Sequence, residues 1–241
     1  MAPAFISGAE PAAEGGGGAA AGLKLPGLTI NLEEKSVDVE ATVCLESGFL
    51  ELIACTKDSK EHESVVSVDA KGAHIHAALL LLGAKPGNPA MRKPLNEEHT
   101  RWVDLPPRGQ GVDVFLVFGK KDEEPKEHPI SKFIMNGNDG YGAASGEAEE
   151  GEPERFPTNT FLFAGSHLFG RGEGPKRYLA DDSGNIISIS TFGDEVLCLP
   201  GHHAKDNGAL VWEVDPTHLP DVGTKVILRL RPKQAEAKPA E

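Results

Sequence analysis

Short runs of β-branched and aromatic residues, each ended by glycine, proline, asparagine or aspartate, most constrain how this chain folds. Such runs fit a pleated, half-buried surface, and the residues that end them favour turns. In the last run Val226 and Leu228 share one face while Lys225, Ile227 and Arg229 share the other, which is typical of an antiparallel strand with one side in solvent. We therefore predict a mainly β fold with strands near residues 28–32, 65–68, 112–118, 132–135, 160–164, 185–190, 210–213 and 225–230.

A hairpin is predicted early in the chain. Apolar and polar residues alternate over 37–43, with the apolar ones expected to face the core, and the run FLELIACT follows a loop at 46–48. Paired in this way, Cys44 lies near the loop and Cys55 near the open end, too far apart for a disulfide with its ~7 Å limit on Cα separation. Cys198 is then a partner for either cysteine, and three buried free thiols are the other interpretation.

One segment, AHIHAALLLLG at residues 73–83, has the character of a helix. Gly83 fits the left-handed position that ends a helix, and Pro86 lies just beyond it as a stop. Because the segment is apolar almost all round, we expect the longest helix of the chain here, buried against the sheet.

The remaining composition divides the chain. Residues 1–22 are rich in alanine and glycine without periodicity and predict a flexible leader, and residues 233–241 predict a disordered tail. Residues 137–157 are polar and glutamate-rich, as expected of an acidic insertion, and residues 85–111 contain five prolines. A single β domain is predicted over 23–232.

Charge and hydropathy restrict the partners. Lys and Arg total 24 against 37 Asp and Glu, a net charge of −13, which repels nucleic acid and anionic lipid surfaces. The longest apolar stretch, 73–84, contains two histidines and falls short of the ~18–20 residues of a membrane-spanning helix. No secretory signal is visible in the first 22 residues.

Residues able to bind a metal are concentrated within one stretch of 22 residues. It holds Cys55, His62, Glu63, His74 and His76. A thiolate and two imidazoles would bind a divalent transition metal such as zinc and leave a fourth position for water or substrate. Residues two apart on a helix point about 200° apart, so only one of the last two histidines would join Cys55 and His62 unless the helix begins after them.

Other interpretations of these residues stay open. Cys55 and His62 are also the residue types of a thiol catalyst, and the histidines are equally compatible with plain packing against the sheet. A nucleophile at Ser166 is disfavoured because the motif is not Gly-x-Ser-x-Gly, and because neighbouring residues in a strand, such as Ser166 and His167, point to opposite faces.

Four stretches carry a family resemblance. They are LESGFLELIACTKDSKEHESVVSVDAKGAHIHAALLLLGAKPGNP, a strand ending LVFGKK, the run TFLFAGSHLF, and RYLADDSGNIISISTFGDEVLCLP. From about Leu28 to Leu230 the chain resembles the YdjY domain of bacterial exported proteins. The resemblance implies export, in some members with a lipid anchor or beside iron–sulfur redox proteins, and it implies no particular reaction. This sequence contains neither a lipobox nor an iron–sulfur cysteine run.

Together these observations predict a mainly β (α+β) fold, an antiparallel, sandwich-like single domain with one buried helix and long loops. We expect a periplasmic or extracellular binding or structural module whose partner is a small molecule or an envelope protein. The alternative is a metal- or thiol-dependent enzyme, or a redox accessory protein, with its site around Cys55, His62 and His74.

Overall fold

The computed structural model describes residues 22–119, 123–137, 154–170, 174–204 and 210–234. Short strands make up most of the regular structure. The strands are β1 Leu23–Leu25, β2 Leu28–Asn31, β3 Ser36–Val43, β4 Leu52–Thr56, β5 Ser64–Val68, β6 Pro86–Asn88, β7 Met91–Pro94, β8 Trp102–Leu105, β9 Arg108–Gly109, β10 Gly111–Phe118, β11 Lys126–Pro129, β12 Ile134–Asn136, β13 Thr160–Phe163, β14 Leu168–Phe169, β15 Arg177–Tyr178, β16 Asn185–Ser188, β17 Leu197–Cys198, β18 Trp212–Val214 and β19 Lys225–Pro232. The helices are α1 Gly72–Leu81 and α2 Leu179–Ser183, with single 3-10 turns at Glu61–Glu63 and Ile130–Phe133.

Eight strands form a closed barrel. Their order is β3, β19, β10, β13, β17, β16, β4 and β5, and β5 pairs with β3 to complete the circle. The β4–β5 and β16–β17 pairs are parallel, and the other six are antiparallel. On one edge of β3, residues 36–39 pair with β2 and residues 41–43 pair with β5, so the β1–β2 hairpin continues the sheet beyond the barrel.

Apolar side chains fill the barrel. An eight-stranded barrel has an interior just wide enough to be packed with side chains. The apolar faces predicted for β3 and β19 are both buried, which confirms the two alternations read from the sequence. The buried residues of these faces are Val37, Val39, Ala41, Val43, Val226, Leu228 and Leu230.

The mainly β class is confirmed, but the sandwich arrangement is wrong, and so is the early hairpin. β3 and β4 do not pair with each other, because β5 lies between them, antiparallel to β3 and parallel to β4. Strands that are covered on both faces and have parallel neighbours read as continuous apolar runs. Residues 52–55 are such a run, and residues 64–68, although they include Ser64 and Ser67, are likewise buried at every position. They belong to a crossover unit, in which residues 57–63 return the chain to start β5.

α1 is the longest helix among the described residues, as predicted, but its burial all round is wrong. Ile75, Ala78 and Leu79 form the buried face. Leu80 and Leu81 are 46% and 57% exposed. Only one face of the helix meets the protein, so the apolar residues on its other face lie in solvent.

A charged cluster ties three strands together on the outer surface. Arg229 of β19 donates two hydrogen bonds to the Asp38 carboxylate of β3, each 2.6 Å long. It donates a third, of 2.7 Å, to Glu127 of β11, which also accepts hydrogen bonds from Arg231. The Arg229 side chain is only 18% exposed. The cluster therefore links distant parts of the chain across the barrel wall.

The predicted flanking segments lie largely outside the described residues. This applies to the leader at 1–22 except for its last residue, to the tail at 233–241 beyond residue 234, and to the acidic insertion at 137–157 between its ends. Near the end of that insertion Phe156 is buried, with its ring centroid 5.0 Å from that of Trp212. Among the described helices none is long and apolar enough to cross a membrane.

Candidate functional site

The crossover between β4 and β5 encloses Cys55. This residue is fully buried near the end of β4, and the loop at 57–63 follows it. The Ser59 hydroxyl donates to the Thr56 carbonyl oxygen over 2.5 Å, and the Ser64 hydroxyl donates to the Lys60 carbonyl oxygen over 2.8 Å. These bonds tie both ends of the loop to the strands that it joins.

Cys44 reaches the same place from the end of β3. Its thiol donates a hydrogen bond of 3.1 Å to the Ser64 carbonyl oxygen, while the Ser64 hydroxyl interacts with Cys55. The prediction that Cys44 and Cys55 lie too far apart for a disulfide keeps its outcome but not its reason, because β3 and β4 do not pair directly. β5 lies between them, with Cys44 beside Val65 and Cys55 opposite Ser67, and all three cysteines are free thiols.

The surroundings of the two thiols shift their pKa values in opposite directions. The hydrogen bond from Cys44 lowers the pKa of Cys55 to about 6, and contacts with Ser64, the Lys60 backbone and Ser59 act in the same direction against burial. The same hydrogen bond, together with burial, raises the pKa of Cys44 far above its usual range. Of the two thiols, Cys55 is therefore the one that ionises more readily.

The structure does not bring His62 to Cys55. His62 lies in the 3-10 turn with its side chain 77% exposed, and its ring is 3.7 Å from the Glu63 carboxylate. Since Cys55 is fully buried beneath the same loop, the two side chains lie on different sides of it. The Cys55–His62 catalytic pair has no support from this geometry.

His74 and His76 both lie in the first turns of α1 and have different surroundings. Nδ1 of His74 is buried without a hydrogen-bond partner. Nδ1 of His76 is 2.8 Å from the Tyr178 hydroxyl, and its ring packs edge-on against Phe163. Burial lowers the pKa of His76, so its ring is neutral at neutral pH. Within the described part of the chain no three His, Cys, Asp or Glu side chains are grouped so as to hold a metal ion. The metal site at Cys55, His62, His74 and His76 stays a prediction. Elemental analysis of protein purified without a histidine tag would test it.

Ser166 has an unusual backbone conformation, and its hydroxyl makes hydrogen bonds that join loops. It adopts a left-handed φ of 42° directly after Gly165 at 87°. Its hydroxyl donates to the Asp194 carbonyl oxygen over 2.5 Å and accepts the Ala180 N–H over 3.1 Å, near the start of α2. With its proton donated to a carbonyl oxygen, this hydroxyl holds the loops together.

A buried carboxyl group lies near the thiol of Cys198. Glu195 is fully buried and accepts the Gly193 and Asp194 backbone N–H groups at one oxygen, over 2.7 and 2.9 Å. Its other oxygen is buried without a hydrogen-bond partner. Burial raises the pKa of Glu195, and burial with the nearby carboxyl group raises the pKa of the Cys198 thiol. Both groups therefore resist ionisation.

A cleft of about 650 Å³ opens between the proline-rich excursion at 85–111 and the loop at 190–203, and we call it the excursion cleft. Met91, Leu105 and Phe192 are among its apolar walls, and Arg92 and His202 lie at its polar parts. Arg92 already pairs with Asp104 over 2.9 Å. A second depression of about 550 Å³ lies beside β19, but its wall borders residues 120–122, outside the described residues.

Sequence reasoning missed two parts of this region. The first is the crossover that places β5 between the strands of Cys44 and Cys55, for which the uninterrupted apolar run at 52–55 was the sequence signal. The excursion cleft left only an indirect signal, since five prolines at 85–111 indicate an ordered excursion without indicating which loop it faces.

Comparison with known proteins gives one match. The model of the YdjY domain matches residues 28–231, most of the chain. No curated protein and no solved structure matches the chain.

Proposed function

This chain belongs to the YdjY domain family, and we propose that it is an exported module of the bacterial cell envelope that binds a small organic molecule in the excursion cleft. The observation that carries the proposal is the cleft itself. Its volume of about 650 Å³ lies within the ~300–1,000 Å³ typical of sites that hold small molecules, which are mostly apolar with a few polar groups.

The lining favours a ligand with an apolar or aromatic body. Phe192, Met91 and Leu105 offer a ring, a thioether and an aliphatic chain, which adapt to varied apolar shapes. The ammonium group of Lys60 lies 3.8 Å from the Phe192 ring centroid and fixes that ring against the crossover loop. Because Arg92 is paired with Asp104, the cleft offers no free guanidinium from this residue for an anion.

Binding is tested with a library of aromatic fragments observed by ligand-detected NMR on the full chain. Phe192→Ala removes the ring that lines the cleft, and we expect affinity to fall about tenfold, the loss of ~1.4 kcal/mol of contact. Phe169→Ala is the matched control, because Phe169 is 58% exposed and does not line this cleft. The proposal would be overturned if fragments bound both variants with the same affinity as the parent, or if no fragment bound.

Export rests on the family resemblance and has its own test. Antibody detection after osmotic shock of the native bacterium should find the protein in the periplasmic or extracellular fraction. Recovery with cytoplasmic marker enzymes would contradict export without bearing on the cleft.

A further inference from the structure

The aromatic wall of the excursion cleft is fixed by hydrogen bonds before and after Phe192. Before it, Thr191 donates its N–H to the His203 carbonyl oxygen over 3.0 Å, and the Thr191 hydroxyl accepts the His203 N–H over 2.8 Å. After it, the next two backbone N–H groups bind the side chain of Glu195. The loop that carries the ring is therefore held on both sides of Phe192.

The backbone at Gly193 aims two N–H groups at one point. Gly193 has a left-handed φ of 90°, and its N–H and that of Asp194 reach the same carboxyl oxygen of Glu195 over 2.7 and 2.9 Å. Successive N–H groups in a turn of this kind form a concavity that binds an anionic or strongly polar oxygen. A Cβ at Gly193 would lie 3.0 Å from the Ala90 carbonyl oxygen, so this turn also sits directly against the excursion.

The turn at 193–195 is anchored to the body of the protein. Asn185, at the start of β16, donates its side-chain N–H to the Asp194 carboxylate over 2.6 Å. The Ser166 hydroxyl donates to the Asp194 carbonyl oxygen over 2.5 Å. Glu195 thus joins a loop that lines the cleft to residues that the barrel fixes.

A carboxyl group is a costly way to fill the position of Glu195. The residue is fully buried, and its second oxygen has no hydrogen-bond partner. Burying a polar group without a partner is unfavourable, so an apolar residue of similar size would fill this space at a lower free-energy cost. What the carboxyl group adds over such a residue is an acceptor for the two N–H groups that follow Phe192.

We propose that Glu195 is a positioning residue of the excursion cleft, whose carboxyl oxygen fixes the loop at 192–194 so that the Phe192 ring forms the wall against which a ligand packs. Glu195 is buried behind this loop and acts through Phe192, without touching the ligand. The proposal rests on the proposed binding of a small molecule in the cleft.

Two neutral variants of similar size isolate the accepting oxygen. Glu195→Gln keeps an oxygen that accepts both N–H groups, whereas Glu195→Leu keeps the volume and removes the acceptor. The first measurement is amide hydrogen exchange at Gly193 and Asp194, followed by NMR on the full chain without ligand. Both amides should exchange about tenfold faster in the Leu variant, since each loses a hydrogen bond, and at the rate of the parent in the Gln variant.

The second measurement is affinity for the tightest aromatic fragment found with the parent. Affinity should fall about tenfold in Glu195→Leu, as it does when the Phe192 contact is lost, and Glu195→Gln should restore it. In a Phe192→Ala background, Glu195→Leu should cause no further loss, because a residue that acts through Phe192 has no separate effect once the ring is absent.

The outcomes distinguish the two proposals. Slow exchange in the Leu variant, equal losses in the Leu and Gln variants, or faster exchange with unchanged affinity would each overturn the role of Glu195. If no fragment binds the parent, the proposed function fails, and amide exchange still decides whether Glu195 fixes the loop. Circular dichroism checks that each variant is folded, and Glu195→Met replaces the Leu variant if that one is not.

Discussion

Replacing Arg229 by methionine should destabilise the protein by about 2–3 kcal/mol. The guanidinium group makes two short hydrogen bonds to Asp38 and one to Glu127, and methionine keeps the aliphatic packing but none of these bonds. Hydrogen bonds to charged partners contribute ~1.5–3 kcal/mol each when shielded, whereas exposed ion pairs contribute only ~0.2–1 kcal/mol. The side chains of Arg229 and Asp38 are 18% and 23% exposed, so the free energy that each interaction of the cluster contributes should lie between these two values.

The interaction is isolated by a double-mutant cycle with Asp38→Asn. Urea unfolding of the parent, both single variants and the double variant should give a coupling free energy of about 1–2 kcal/mol. Raising the salt concentration to about 1 M, where the Debye length falls to ~3 Å, should leave most of that coupling intact because the pair is shielded.

The exposed pair Arg92–Asp104 is the matched control. Its charged atoms approach to 2.9 Å, but the two side chains are 70% and 80% exposed. The same cycle there should give a coupling of about 0.5 kcal/mol or less, further reduced by salt. Equal coupling in the two cycles would refute the reasoning, because burial would then have no part in the strength of the Arg229 cluster.

Three further predictions follow from single groups. Hydrogen bonds from Arg231 and Arg229 lower the pKa of Glu127 to about 2, below its unfolded value near ~4.3. Its contribution is therefore present above pH ~4.3 and lost as the pH falls toward 2, and Glu127→Gln should flatten the acid side of a plot of melting temperature against pH. Burial raises the pKa of Glu195, so ionisation opposes folding once the pH exceeds the unfolded pKa. Glu195→Gln should then raise the unfolding free energy at pH 7, measured with urea; an unchanged or lower value would show that the Gly193 and Asp194 N–H groups offset the burial of the carboxylate. Gly184→Ala should lower the melting temperature, since Gly184 has a φ of 82° and an added Cβ would lie 2.4 Å from the Ser59 hydroxyl oxygen; an unchanged melting temperature would show that the crossover loop yields freely.

Local pattern allowed most strands to be predicted, and long-range pairing is where prediction failed. The alternation in β3 and β19 identified their buried faces, because in a half-buried strand apolar and polar residues alternate along the sequence itself. The placement of β5 between β3 and β4 depends on pairings across tens of residues, which periodicity does not report. The nearest-neighbour hairpin was the simpler choice and was wrong.

The same reason accounts for the site. Cys55 was singled out by composition, and its burial is compatible with the packing interpretation, but its placement across β5 from Cys44 depended on the strand order. The solvent exposure of His62 followed from a 3-10 turn that its sequence does not signal. α1 was recognised by its ends, yet its uniformly apolar sequence hid which face would remain in solvent.

The pairing of β3 with β19 bears on the timing of folding. These strands lie near opposite ends of the chain, and the bonded residues Asp38 and Arg229 are 191 positions apart. β19 also fills the place between β3 and β10, so a growing chain has no closed barrel until residues 225–232 have left the ribosome. Contacts of such sequence separation slow folding. Until then the edges of β3 and β10 that β19 covers stay unpaired, and such edges are the surfaces through which incomplete chains aggregate or are held open by chaperones.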